Sequence, residues 1–164
     1  MVWFVGCHWK CLFELLKDAA LDPHESGRCF LALHAPDTQL PYMNLDRSRL
    51  QQICINLISN AIHYTQEGGV TVSIEQNDAG IQIFVTDTGA GIPEEDQPRL
   101  FKKFATAKAF IKTKEYGSGL GLYIARLLAN AMHCDVRLEQ SILEKGTTFS
   151  LNIPTASQVV IKSV

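Results

Sequence analysis

Apolar and polar residues alternate through Val70-Thr71-Val72-Ser73-Ile74 and again through Ile81-Gln82-Ile83-Phe84-Val85-Thr86, with Asn77-Asp78-Ala79-Gly80 between the two runs. Period-two alternation marks half-buried strands, and a short polar link between them marks a hairpin. A second hairpin is expected from Asp135-Val136-Arg137-Leu138-Glu139 and residues 147–153, and an earlier strand over 27–35. Elsewhere the period lengthens. Leu50, Ile53, Leu57 and Ala61 recur at helical spacing, and Asp46 stands where an N-cap belongs, which predicts a helix over 46–64. Further helices are predicted over 12–21, stopped by Asp22-Pro23, over 94–104 and over 118–132; a short extended piece is expected at 41–44. This order implies an α+β fold: a two-layer sandwich with a mixed, mostly antiparallel sheet and helices packed on one face. Residues 1–44 read as a helix and strand leading into the domain, 45–154 as its core, and 155–164 as a tail or linker.

The composition fits a globular domain: 164 residues, 46% hydrophobic and 20% charged. A net charge of −2 gives no electrostatic footprint for nucleic acid. Residues 1–16 are apolar but interrupted by His8, Lys10 and Glu14. That stretch is too short and too charged to span a bilayer and lacks a signal-peptide layout, so a soluble segment without membrane contact is expected. The five cysteines are odd in number and lack framework spacing, which predicts reduced thiols in a cytosolic compartment. Cys7, His8 and Cys11 have no second cluster to complete a metal site.

The chemistry centres on Asp87-Thr88-Gly89-Ala90-Gly91-Ile92-Pro93, where a strand ends in a carboxylate and breaks into glycines. Glycines let the backbone approach a flat or phosphorylated ligand, and the aspartate can accept a hydrogen bond from an exocyclic amine such as adenine N6. A structural turn with a capping acid explains the same residues equally well. Asn56 and Asn60 are four apart and share a helix face beside the apolar stripe. Burying either amide unpaired costs about 1–3 kcal/mol, so each faces solvent or a ligand. Gly117-Ser118-Gly119-Leu120-Gly121-Leu122 enters a helix, where free N–H groups and the helix dipole can receive phosphate.

Taken in order with Leu100-Phe101-Lys102-Lys103-Phe104, these stretches resemble the N, G1, F and G2 boxes of the sensor histidine kinase ATP-binding domain. That domain belongs to a superfamily with gyrase, the mismatch-repair ATPases and the heat-shock chaperone ATPases, and the resemblance covers roughly 45–154. It implies ATP and Mg²⁺ as ligands. It implies Asn60 as the Mg²⁺ ligand, and Asn56 at the position where hydrolysing relatives carry a water-activating glutamate. Asn56 and Asn60 are then the catalytic pair. Nucleotide contacts implied in the same way are Asn60, His63, Tyr64, Asp87, Gly89, Gly91, Ile92, Phe104, Gly117, Ser118, Gly119, Leu120, Gly121 and Thr147. Asp87 would read the adenine, and Thr147, in Gly146-Thr147-Thr148-Phe149, would sit near its pocket. Phe101 and Phe104 would anchor a lid. Two residues depart from the usual pattern: Ser118 replaces the commoner threonine, and His63 replaces a lysine or arginine that reaches the phosphates.

A phosphoacceptor histidine is missing. His24-Glu25-Ser26-Gly27-Arg28 comes nearest to the acceptor motif but follows Pro23 and contains a glycine. The chain therefore reads as the catalytic half of a larger, membrane-anchored sensor. Its expected partners are a histidine-containing dimerisation domain and, downstream, a response regulator receiver domain. A same-fold ATPase or serine kinase, or a nucleotide-binding module that has lost catalysis, are the competing readings. Segment 105–116, with Lys108, Lys112, Lys114 and Glu115, is expected to be the least ordered internal stretch without nucleotide.

Overall fold

A computed structural model describes residues 29–34, 45–105 and 119–155. Five strands form one mixed sheet: β1 (Cys29–His34), β2 (Gly68–Asn77), β3 (Gly80–Asp87), β4 (Asp135–Ile142) and β5 (Gly146–Pro154), in the order β1-β2-β3-β5-β4. β1 runs parallel to β2, and every other neighbouring pair is antiparallel. The parallel pair needs a crossover, which carries helix α1 (Arg47–His63); helix α2 (Gly121–Ala131) precedes the β4–β5 hairpin.

Alternation decides which sheet face is covered. Val70, Val72 and Ile74 on β2, Ile81, Ile83 and Val85 on β3, and Phe149, Leu151 and Ile153 on β5 are all buried. They meet Leu50, Ile53, Cys54, Leu57, Ile58 and Ala61 of α1, and Ala125 and Ala129 of α2, in one core. Each large aliphatic side chain so buried contributes about 1.5–3 kcal/mol. The opposite face carries a polar row in which Asn77, Gln82, Asn152, Ser150 and Glu139 are linked by successive side-chain hydrogen bonds. The result is the α+β two-layer sandwich that the hairpin-and-helix order predicts.

Local signals account for the ends of α1. The Asp46 carboxylate accepts from the Arg49 N–H at 3.1 Å, and Thr65 closes the far end by donating its hydroxyl to the Ala61 carbonyl at 2.7 Å. One helix does not form as predicted. Residues 94–104 hold only turns and a single 3₁₀ turn, Gln97–Arg99. Pro98 lies inside that stretch; it has no N–H for the carbonyl four residues back, and its ring would collide with that carbonyl. The predicted helix over 118–132 is shorter at both ends as α2. The expected helix at 12–21, the extended piece at 41–44, the segment 106–116, the residues Cys7, His8, Cys11 and His24, and the tail after Thr155 lie outside the described residues.

Candidate functional site

Asp87 ends β3 on the helix-bearing face and is buried. Its Oδ1 accepts two main-chain N–H groups, from Gly89 at 2.9 Å and from Thr147 on β5 at 3.2 Å. Among the described residues Oδ2 accepts nothing. Burial pushes the carboxyl above its ordinary value, and the two N–H donors partly offset that rise. An acceptor is thus held rigidly with one oxygen left over.

The loop after Asp87 is fastened at both sides. On one side it packs on the C-terminus of α1: the Ala90 N–H donates to the Tyr64 carbonyl at 3.2 Å, and a Cβ on Gly89 would overlap that carbonyl oxygen. On the other it packs on the β4–β5 turn. The Ile92 N–H donates to Ser141 Oγ at 2.8 Å, the Glu144 N–H donates to the Ala90 carbonyl at 2.8 Å, and Gln97 Nε2 donates to the Ile92 carbonyl at 3.0 Å. Gly91 sits at φ +68°, and a Cβ there would overlap the Ile142 carbonyl. Glycine is required at both positions, one for closeness and one for conformation as well. Ser141 and Gln97 had no sequence signal of their own; only the register that sets Ser141 opposite Thr147 could have pointed to the serine.

Asn56 and Asn60 face the start of α2. A Cβ on Gly121 would lie 3.7 Å from Asn60 Nδ2 and 3.8 Å from Asn56 Oδ1. Asn56 Nδ2 is buried without a hydrogen-bond partner among the described residues, an unusual state for an amide. Among the described residues α2 has no side-chain cap at its N-terminus, which lies beside the two asparagines. Gly119 (φ +64°), Leu120 and Gly121 form this entry, whereas Gly117 and Ser118 lie outside the described residues.

The remaining predicted residues divide. Tyr64 caps α1 and is half-buried, and burial pushes its phenol up. His63 is exposed in the last turn of α1, edge-on to the Tyr64 ring at 4.9 Å. Thr147 is buried beside Asp87. Phe101 packs edge-to-face on Phe149 at 6.2 Å, under the Arg126 guanidinium at 4.6 Å. Phe104 does not join it: at φ +60° it is 66% exposed, with Lys103 over its ring at 5.2 Å.

A carboxylate with one oxygen left over, a buried amide nitrogen without a partner among the described residues and a helix start without a side-chain cap together suit a ligand with an amine at one end and an anion at the other. No cluster of three or more histidine, cysteine or acidic residues exists among the described residues to hold a metal by protein groups alone. Asn60 offers a single amide oxygen, which suits a Mg²⁺ that brings phosphate oxygens and water with it.

The chain belongs to the family of histidine kinase-, DNA gyrase B- and HSP90-like ATPases, whose profile matches residues 45–157. It is 41% identical over 113 residues to the signal transduction histidine-protein kinase BarA of Escherichia coli K12, a match covering 66% of this chain and 12% of BarA. To the sensor histidine kinase WalK of Bacillus subtilis it is 38% identical over 122 residues, covering 73% of this chain and 20% of WalK. This chain therefore spans a small fraction of the curated relatives it matches. Among solved structures, full-length ShkA in complex with AMPPNP superposes with a TM-score of 0.73 at 31% identity, covering 87% of this chain and 30% of ShkA. The nucleotide-free catalytic domain of the histidine kinase ThkA gives 0.70 at 28% identity, covering 87% and 93%. In this structure no described helix is long and apolar enough to cross a membrane.

Proposed function

We propose that this chain is the catalytic ATP-binding domain of a two-component sensor histidine kinase. It binds Mg·ATP and presents the γ-phosphoryl group to a histidine on a separate dimerisation domain, from which a response regulator receiver is then phosphorylated. The observation that carries this reading is the Asp87 carboxylate, pinned through Oδ1 by Gly89 and Thr147 with Oδ2 left for an exocyclic amine. Asn56 and Asn60, against the N-terminus of α2, supply the polyphosphate end; the buried Asn56 amide gains there a partner that it lacks among the described residues. Mg²⁺ held through Asn60 and the phosphates would neutralise charge as the phosphoryl group moves. The protein's own work is positioning and exclusion of water.

Asn56 also bears on the competing ATPase reading. An amide cannot take a proton near neutral pH, so no base stands ready at that position to activate water. The domain holds ATP for transfer rather than spending it on hydrolysis. β1 lies in the same sheet although it precedes the family match, which supports an ATP-binding domain that takes in part of 1–44 together with 45–154. Within the parent sensor the domain works on the cytoplasmic side, where ATP is available.

Two measurements test this. Calorimetry should show Mg·ATP binding by the isolated chain with negligible phosphate release; turnover of order 1 s⁻¹ would favour the ATPase reading instead. A dimerisation hairpin from the parent sensor, supplied in trans with γ-labelled ATP, should become labelled on its histidine, while the chain alone stays unlabelled.

A further inference from the structure

On the sheet face away from the helices lies a cleft of about 350 Å³, lined by Asn77, Gln82, His133, Asp135, Arg137 and Asn152 among others. Gln82 precedes Asp87 on β3 by roughly 17 Å of extended chain and faces the other way, so the cleft is separate from the nucleotide site. Its amides are oriented by groups that cannot exchange roles. Asn77 Oδ1 accepts the main-chain N–H groups of Ala79 at 2.9 Å and Gly80 at 3.1 Å, so its nitrogen is the atom that donates to Gln82 Oε1 at 2.9 Å. Gln82 Nε2 then donates to Asn152 Oδ1, and Asn152 Nδ2 to Ser150 Oγ at 3.0 Å; Ser150 gives its hydrogen to the Glu139 carboxylate. Main-chain donors fix one end of the row and a carboxylate the other. Each amide nitrogen carries two hydrogens and spends one within the row, which leaves one N–H over on Asn77, Gln82 and Asn152.

Beside the row, Arg137 Nε donates to Asp135 Oδ2 at 2.6 Å, and among the described residues neither Nη atom is engaged. The position after the Met132 cap of α2 is left-handed at φ +58°, a place glycine commonly fills, yet here His133 occupies it on the wall of the cleft. Hydrogen-bond donors are therefore in excess: the guanidinium fork and three spare N–H groups stand against one free oxygen of Asp135 and a lone pair on each of Gln82 and Asn152. The formal charges of Arg137 and Asp135 cancel, so a doubly charged anion meets repulsion from Asp135 that a singly charged one largely escapes. A planar carboxylate matches the fork in shape. Gln82 and Asn152, each with one N–H and one lone pair to offer, match hydroxyl groups, which both accept and donate. The volume lies near the lower end for ligand pockets, about 300–1,000 Å³, which suits a molecule of a few carbons. We propose that the cleft binds a small hydroxy acid, its carboxylate on the Arg137 fork and its hydroxyls on Gln82 and Asn152. The site is independent of the nucleotide reading.

The test is NMR titration of the isotope-labelled chain with three probes of equal carbon number at constant ionic strength. Gluconate carries the carboxylate and the hydroxyls, hexanoate the carboxylate alone, and sorbitol the hydroxyls alone. Gluconate should shift the side-chain N–H signals of Gln82, Asn152 and Arg137 saturably at millimolar concentration. Sorbitol should bind at least about tenfold more weakly, the range of a hydrogen bond to a charged group, and hexanoate about 2- to 10-fold more weakly, the range of a neutral one. Arg137→Gln, at an exposed side chain, should bring gluconate down to the level of sorbitol, and Arg137→Lys should restore little, because a single ammonium lacks the fork. Gln82→Met should bring gluconate down to the level of hexanoate and leave hexanoate itself unchanged. Both losses should occur with unchanged thermal melts and unchanged Mg·ATP affinity. No saturable shift with gluconate, sorbitol binding as tightly as gluconate, or wild-type gluconate affinity in Arg137→Gln overturns the proposal, whatever the outcome for ATP.

Discussion

Asp87 and Thr147, 60 positions apart in the chain, are joined by a 3.2 Å hydrogen bond from the Thr147 N–H to Asp87 Oδ1. The Gly89 N–H reaches the same oxygen at 2.9 Å, so the carboxylate is oriented by two strands and a loop before any ligand arrives. Preorganisation of this kind lowers the cost of binding, since the acceptor needs no ordering when the ligand enters.

Asp87→Asn should weaken ATP binding without unfolding the protein. The side-chain oxygen of asparagine can still accept from Gly89 and Thr147, while a donor replaces the free acceptor. A hydrogen bond to a charged group is worth about 1.5–3 kcal/mol, so a tenfold or larger loss of affinity is expected. Stability should move the other way. Because burial raises the folded-state pKa of Asp87, its favourable contribution is present below the unfolded carboxyl value and lost as pH rises through the raised one. Thermal melts from pH 4 to 8 should therefore show the asparagine variant gaining on wild type as pH rises. An unchanged ATP affinity would remove Asp87 from the base pocket.

Asn56→Leu should stabilise the ligand-free protein and weaken Mg·ATP binding. The amide Nδ2 is buried with no partner among the described residues, and a side chain of similar size without polar atoms avoids that cost, about 1–3 kcal/mol. A rise of a few degrees in Tm is expected for a domain of this size. A lowered Tm with unchanged affinity would mean that Asn56 serves the stability of the fold and not the ligand.

Phe101 and Phe104, paired in the sequence motif, should separate in mutagenesis. Phe101→Ala removes an edge contact with Phe149 and the shelf beneath Arg126, so a loss of roughly 1–3 kcal/mol is expected, below the range for a fully buried ring. Phe104→Ala removes an exposed ring and should leave stability within about 0.5 kcal/mol. Urea unfolding of both variants reads the difference directly, and equal losses would contradict the placement of Phe104.

The hairpins and α1 were legible because their signals are local. Alternation at 70–87 and the cap at Asp46 need only neighbouring residues to be read. The helix expected at 94–104 failed on an equally local signal, since Pro98 outweighs the helical start suggested by Pro93-Glu94-Glu95-Asp96. Asp87 and Gly89 were visible as a strand end breaking into glycine. Their fastening was not, because Ser141 reaches Ile92 across 49 positions and Gln97 reaches the Ser141 carbonyl across 44. Such contacts follow from the β3–β5–β4 order, which no short window contains.

His63 continues the face of Asn56 and Asn60, at spacings of four and then three residues along α1, and its exposed ring lies edge-on to Tyr64. A lysine there would set a permanent cation beside bound phosphate, and a glutamine would set none. His63→Lys should bind Mg·ATP at least as tightly as wild type at pH 8, by roughly two- to fivefold given the solvent screening of an exposed pair, and His63→Gln should bind no more tightly than wild type. Raising the salt concentration should narrow the gap between lysine and glutamine, because the contribution is electrostatic and exposed. Equal affinities for all three proteins at low and high salt would place His63 on the solvent side of α1, away from the phosphates.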